Sequence, residues 1–199
     1  FLKKTGMEIG PRPELKPWRE FLAHMQNAKD TVRIGLVGKY VELQDAYKSI
    51  NEALFQAATY NNRKLDLQYI HSEKLTESNV EEKLSSMDGL IIAPGFGQRG
   101  VEGKFVALKY AREHDMPTFG ICLGMQCMVI EYARDVLGYK DANSTEMDVN
   151  TPHNVIDLME SQKCISNMGG TMRLGEYDCI LQEGSKAEQA YGKTHIKER

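Results

Sequence analysis

Short apolar runs that alternate with amphipathic segments constrain the fold of this chain more than any other feature. Residues 32–37 and 89–93 read as buried strands. Leu65, Leu67 and Tyr69 alternate as a third strand, and residues 118–122 form a short fourth one. Helical spacing fills the intervals. Residues 45–60 place Ile50, Ala53, Leu54 and Ala57 on one face, with Asp45 as the cap. Val80, Leu84 and Met87 mark a second face. Phe105, Leu108 and Tyr110 or Ala111 mark a third within residues 102–114, and a fourth helix runs from about 124 to 137. Strands this apolar, alternating with helices, pair in parallel and are covered on both sides. The expected fold is therefore α/β, an open, mostly parallel sheet with helices on both faces. Beyond Gly138 the pattern weakens. Gly169-Gly170 and apolar residues near 172–174 and 179–181 predict loops and antiparallel additions.

Residues 1–30 differ from the rest. Pro11, Pro13 and Pro17 punctuate them, and Trp18, Phe21, Leu22 and Met25 recur at helical spacing, which predicts a linker followed by a docking helix. The chain has 199 residues, enough for one core with an appendage. With 25 basic and 28 acidic residues its net charge is −3, which argues against a nucleic-acid or anionic-membrane partner. The apolar stretch at residues 90–93 is far shorter than the ~20 residues of a membrane span. Cys122, Cys127, Cys164 and Cys179 form no CxxC pair, so reduced thiols and a cytoplasmic location are expected. Both ends read as cut. The first residue is Phe1, and residues 193–199 are a polar run in which neither a helix stop nor a final strand is expected.

Gly120-Ile121-Cys122-Leu123-Gly124 lies where a buried strand meets a helix. A nucleophile between two glycines at that junction fits a nucleophile elbow, in which small neighbours let two backbone segments approach. The helix that follows turns its N-terminus toward the thiol, supporting a developing oxyanion. The alternative is a buried cysteine flanked by glycines without function. A second loop, Pro94-Gly95-Phe96-Gly97-Gln98-Arg99-Gly100, follows the strand at residues 89–93. Both features belong to the carboxyl edge of a parallel sheet, where ligands bind. The Gly95 and Leu123 N–H groups are the candidate oxyanion donors. Without the elbow, this loop is a plain glycine-rich connection.

A thiolate nucleophile needs a base, usually a histidine. His24, His71, His114, His153 and His195 each read better as surface or structural residues. Lys39-Tyr40 and residues 45–49 read as a capped helix with a solvated charged face. Residues 169–175 read as a mobile lid or as a β-turn. No metal-ligand spacing and no phosphate-binding loop is present in the sequence.

These motifs together resemble the class I glutamine amidotransferases, and within them the amidotransferase domain of the CTP synthases. GICLGMQ at 120–126 is shared by the wider family. VGKYVELQDAYKS at 37–49, GFGQRGVEGK at 95–104, DANSTE at 141–146 and GGTMRLG at 169–175 carry the narrower likeness. The resemblance implies a flavodoxin-like class I amidotransferase fold over residues 31–199, with its C-terminal strands missing, joined through residues 1–30 to a synthetase domain. It implies that Cys122 attacks the side-chain amide of L-glutamine, and that the Gly95 and Leu123 amides hold the oxyanion. Gly95, Leu123, Gly124, Met125, Gln126 and Glu146 then line the glutamine pocket. Ammonia would pass to the synthetase domain, where ATP and Mg2+ drive UTP to CTP. GTP is implied as an allosteric effector, residues 169–175 as its lid, and a homotetramer as the assembly. No cofactor is implied for this domain.

Two departures accompany the likeness. Ala93-Pro94-Gly95 stands where the family commonly has Pro-Gly-Gly, and Pro94 has no N–H to donate. The family's His-Pro-Glu motif, base and orienting acid, has no counterpart in the sequence. A non-catalytic glutamine-binding or synthetase-docking module, and another class I cysteine amidotransferase, are the competing readings.

Overall fold

The computed structural model describes residues 2–7, 10, 13–158 and 176–198. They form two compact units, residues 1–156 and 157–199. The first opens with a single turn, α1 (Leu2–Thr5), and a helix, α2 (Lys16–Asn27). It continues through β1 (Asp30–Gly38), a 3₁₀ turn (Gln44–Tyr47), α3 (Lys48–Tyr60) and β2 (Arg63–His71). After a short 3₁₀ turn (Ser72–Lys74) come α4 (Val80–Leu84), β3 (Gly89–Ile92), α5 (Val101–Glu113), β4 (Thr118–Gly120) and α6 (Leu123–Asp135). A small pair, β5 (Asn143–Ser144) and β6 (Asn154–Ile156), completes it. The second unit holds β7 (Tyr177–Ile180), α7 (Lys186–Tyr191) and β8 (His195–Glu198).

Four strands pair in the order β2-β1-β3-β4, every pair parallel. The period of two divides their side chains between the faces. Val37, Ile70, Leu90 and Ile92 join the cluster that packs against α4, α5 and α6. Leu36, Leu67, Tyr69 and Ile91 join a smaller cluster with Tyr47 and Ile50 of the α3 side. Both faces are thus covered, as the alternation predicts. Each fully buried Leu or Ile here, such as Leu36, Leu84, Ile92 and Ile130, contributes about 1.5–3 kcal/mol. Arg112 and Glu131 tie α5 to α6, with Nε and Nη2 donating to Oε1 at 3.0 and 2.8 Å. In α2, Trp18 stacks on Phe21, which meets Phe55 of α3 edge-on.

The structure corrects three readings. Asp45 lies inside the 3₁₀ turn, and neither that turn nor α3 has a side-chain cap. The buried face of α3 is Ala58 and Thr59, with Ile50 and Leu54 half-buried, while Ala53 and Ala57 are exposed. The antiparallel addition expected near 179–181 is present as the β7–β8 pair, while the small β5–β6 pair, which was not foreseen, is parallel with a register shift. Residues 195–198 form a strand, antiparallel to β7, within the run in which none was expected. Only Ile196 of β8 is buried, so the hydrophobic signal was too thin to read. The readings at 169–175 and Cys164 lie outside the described residues.

Gly103 shows how tightly α5 seats. A Cβ there would fall far inside the Ser72 carbonyl oxygen, whereas one on Gly10 meets nothing within 4 Å. Gly103→Ala is expected to cost about 2–3 kcal/mol, because backbone must move. Thermal melting should show a Tm drop of roughly 4–12 °C, with Gly10→Ala near the parent value.

Candidate functional site

β4 ends at Gly120 and α6 starts at Leu123, so Ile121 and Cys122 make the whole reversal. Ile121 N–H donates to the Ile92 carbonyl at 3.0 Å, and Gly124 N–H donates to the Ile121 carbonyl at 2.8 Å. The cost falls on Cys122, held at φ 54° and ψ −112°, a region that non-glycine residues rarely adopt. Glycine is obligatory on either side. A Cβ on Gly120 would lie 2.6 Å from the Gly124 carbonyl carbon and the Met125 nitrogen, and one on Gly124 would overlap the Ile92 carbonyl. The strained turn leaves the Cys122 thiol exposed at the N-cap of α6. Leu123, at the first helical position, has an N–H with no acceptor inside the helix.

Cys127 lies little more than one helical turn further on and is fully buried. Burial pushes its thiol up to about 11. One helix thus carries an accessible thiol at its N-terminus and an inert one in the core.

The loop after β3 closes over this edge. A Cβ on Gly95 would lie 3.4 Å from Lys39 Cε and 3.7 Å from Leu123 Cδ2, so the loop passes between β1 and the elbow. It is held from several sides. Lys39 Nζ donates to the Phe96 carbonyl at 2.5 Å, and Lys104 Nζ donates to the Ala93 carbonyl at 2.6 Å. Gly97 N–H donates to Glu146 Oε1 at 3.0 Å, and Gln98 Nε2 donates to the Met147 carbonyl. Gly97 and Gly100 take φ of 70° and 75°, conformations open to glycine.

Cys122, Gly95, Leu123, Gly124 and Glu146 therefore come to one sheet edge. Met125 is exposed in the first turn of α6. Gln126 is half-buried, and its buried Oε1 has no hydrogen-bond partner among the described residues. The histidines do not join them. His24 bonds Asn62, His114 stacks on Tyr110, His153 meets Asp141 at 2.6 Å, and His195 pairs with Thr194. His71 Nδ1 accepts from Glu73 N–H at the end of β2, the edge strand farthest from the elbow. Among the described residues no histidine hydrogen-bonds to Cys122, and none belongs to a cluster of three or more His, Cys, Asp or Glu able to hold a metal. No helix among them is long and apolar enough to cross a membrane.

Sequence reasoning missed two residues. Lys39, read on a solvated face, is buried. Lys104 went unremarked although it shares the inward stripe of Val101, Leu108 and Ala111, where a lysine is out of place.

Comparison with known proteins agrees with this geometry. The family model for "Glutamine amidotransferase class-I" matches residues 42–198. CTP synthases of Porphyromonas gingivalis and Bacteroides fragilis are 65% and 64% identical over 198 residues, covering 100% of this chain. The chain spans 37% of the length of these relatives. Among solved structures, the glutaminase domain of Trypanosoma brucei CTPS with bound acivicin aligns at a TM-score of 0.76 and 36% identity. That match covers 85% of this chain and 66% of the other.

The two thiols of α6 should separate in reactivity. Treating the native protein with iodoacetamide at pH 8 and mapping the peptides should show Cys122 modified first. Cys127 should lag by about tenfold or more, being both buried and mostly protonated. Equal rates would contradict the burial described here.

Proposed function

This chain belongs to the class-I glutamine amidotransferase family, and on that premise we propose that it is the glutamine-hydrolysing part of a CTP synthase. The observation that carries the proposal is the strained, exposed Cys122 at the N-terminus of α6, beside the Gly95 loop. In this reading the Cys122 thiolate attacks the side-chain amide carbon of glutamine. The carbonyl electrons move onto oxygen, where the Gly95 and Leu123 N–H groups receive them. Collapse of the tetrahedral species expels ammonia, which takes a proton as it leaves, and forms a glutamyl thioester. Water then releases glutamate and restores the thiol. Gly124, Met125 and Gln126 line the pocket, and the Glu146 carboxylate receives the α-ammonium group. The likeness supplies the base and its orienting acid as a His-Pro-Glu motif, which these 199 residues do not contain.

The CTP synthase relatives support the finer part of the proposal. Residues 31–199 form the amidotransferase domain, and residues 1–30 link it to a synthetase domain of the same polypeptide. Ammonia passes to that domain, where UTP becomes CTP at the expense of ATP with Mg2+. GTP activates glutamine hydrolysis, and the full-length protein works as a homotetramer in the cytoplasm.

Full-length protein separates this reading from a non-catalytic glutamine-binding module. Cys122→Ala should reduce glutamine-dependent CTP formation by about a thousandfold or more, while ammonia-dependent formation stays within roughly twofold. Equal loss of both activities would remove Cys122 from the proposed role. A parent enzyme that binds glutamine without releasing glutamate would establish the module. Glu146→Ala should raise the KM for glutamine by roughly 10- to 100-fold, the size of a lost charged hydrogen bond. An unchanged dependence on glutamine concentration would contradict its assignment.

A further inference from the structure

Lys104 is 1% exposed, at the end of the first turn of α5, on the stripe that also carries Val101, Leu108 and Ala111. Burying an ammonium group costs several kcal/mol unless a partner compensates. Among the described residues no carboxylate forms an ion pair with it. Its hydrogen bond goes to the Ala93 carbonyl at 2.6 Å. An unbranched apolar side chain of similar length would fill the same space without that cost, so packing gives no reason for a lysine here.

The position of that carbonyl does give one. Ala93 directly follows β3 and precedes Pro94. Pro94 has no N–H and cannot anchor the loop through its own amide. Ala93 N–H still donates to the Val37 carbonyl at 2.9 Å; beyond it the segment is held by its carbonyls, Ala93 by Lys104 and Phe96 by Lys39. Gly95 lies between the two anchors. Ala93 directly follows Ile92, whose carbonyl accepts the Ile121 N–H of the elbow, so the Lys104 anchor lies one residue from the elbow's own contact with β3. Burial lowers the pKa of the Lys104 ammonium, Lys39 adds to that lowering, and the thiols of Cys127 and Cys122 oppose it.

We infer that Lys104 is a positioning residue for glutamine hydrolysis: by holding the Ala93 carbonyl from inside the core, it fixes the loop that presents the Gly95 N–H to the oxyanion. Lys39 fixes the other end of that loop. This inference rests on the glutaminase reading above. It assigns the residue to the transition state and not to substrate binding, because the hydrogen bond of Lys104 goes to the backbone of the loop.

The test compares full-length parent with Lys104→Met, which keeps the length and removes the charge, and with Lys104→Gln, which keeps a donor. Lys104→Met should lower kcat for glutamine hydrolysis by about 10- to 100-fold. Its KM for glutamine should stay within about threefold, and its ammonia-dependent CTP formation within about twofold, since the loop is not used there. Alkylation of Cys122 by iodoacetamide, which needs no oxyanion donor, should proceed at close to the parent rate. Tm should be equal or higher, as a buried unpaired charge has been removed. Lys104→Gln should recover part of kcat, and it stands in for the methionine variant if that one does not fold. A kcat within twofold of the parent in both variants overturns the inference and leaves the glutaminase reading intact. So does a parallel loss of kcat, ammonia-dependent activity and Tm, which would mark Lys104 as structural. A parent that releases no glutamate at all removes the glutaminase reading, and the inference with it.

Discussion

The closest backbone approach at the site sets the geometry of everything around it. The first turn of α6 lies directly on the end of β3, with Gly124 against the Ile92 carbonyl and Gly120 against Gly124. No side chain fits between them. The approach is maintained by what α6 buries beyond the turn, Leu123, Cys127, Ile130 and Ala133, all inside the main core. The Arg112–Glu131 pair, with Glu131 4% exposed, locks the same helix to α5. The positive φ of Cys122 is the residue-level cost of this fit, and the surrounding burial is large enough to sustain it. A rigid core thus holds an unfavourable turn at its surface, where an exposed thiol meets the end of a helix dipole.

The charges of the first unit divide by what they do. Arg112 and Glu131 satisfy each other and add rigidity between helices. Lys39 and Lys104 instead spend their donors on backbone carbonyls of one loop. That loop leaves β3 through a proline, rises between β1 and the elbow, and enters α5 through a left-handed glycine cap, Gly100. It has no strand partner of its own. Side chains from the first strand, from α5 and from the segment after β5 supply what a neighbouring strand would otherwise supply, namely partners for its peptide groups.

The parallel sheet was legible because short apolar or alternating strands are separated by helices with apolar stripes. The elbow was legible because its glycines are sterically required, and steric requirements leave a residue type behind. What was not legible depended on partners distant in sequence. Lys39 looks solvated beside Tyr40, and only the fold brings the Phe96 carbonyl to it, 57 residues away. Lys104 broke an apolar stripe, which was the available signal. Asp45 had the chemistry of a cap, but it lies inside a 3₁₀ turn, and α3 starts only at Lys48. The β8 strand buries one side chain, too few to register as alternation.

Glu146 connects the loop to the proposed pocket. It is exposed, and Oε1 already accepts the Gly97 N–H at 3.0 Å, while Lys39 holds the carbonyl of that same peptide group. The Phe96–Gly97 peptide is therefore gripped at both poles, by a cation at its oxygen and by a carboxylate at its nitrogen. A carboxylate has about four lone-pair sites, so accepting one amide leaves room for a substrate ammonium. On the glutaminase reading, one side chain then senses whether the pocket is filled and helps set the loop two residues from Gly95. Ground-state binding and oxyanion geometry would share an anchor there. Lys104 would contribute to the second of these alone, through the opposite end of the loop, where it holds the Ala93 carbonyl.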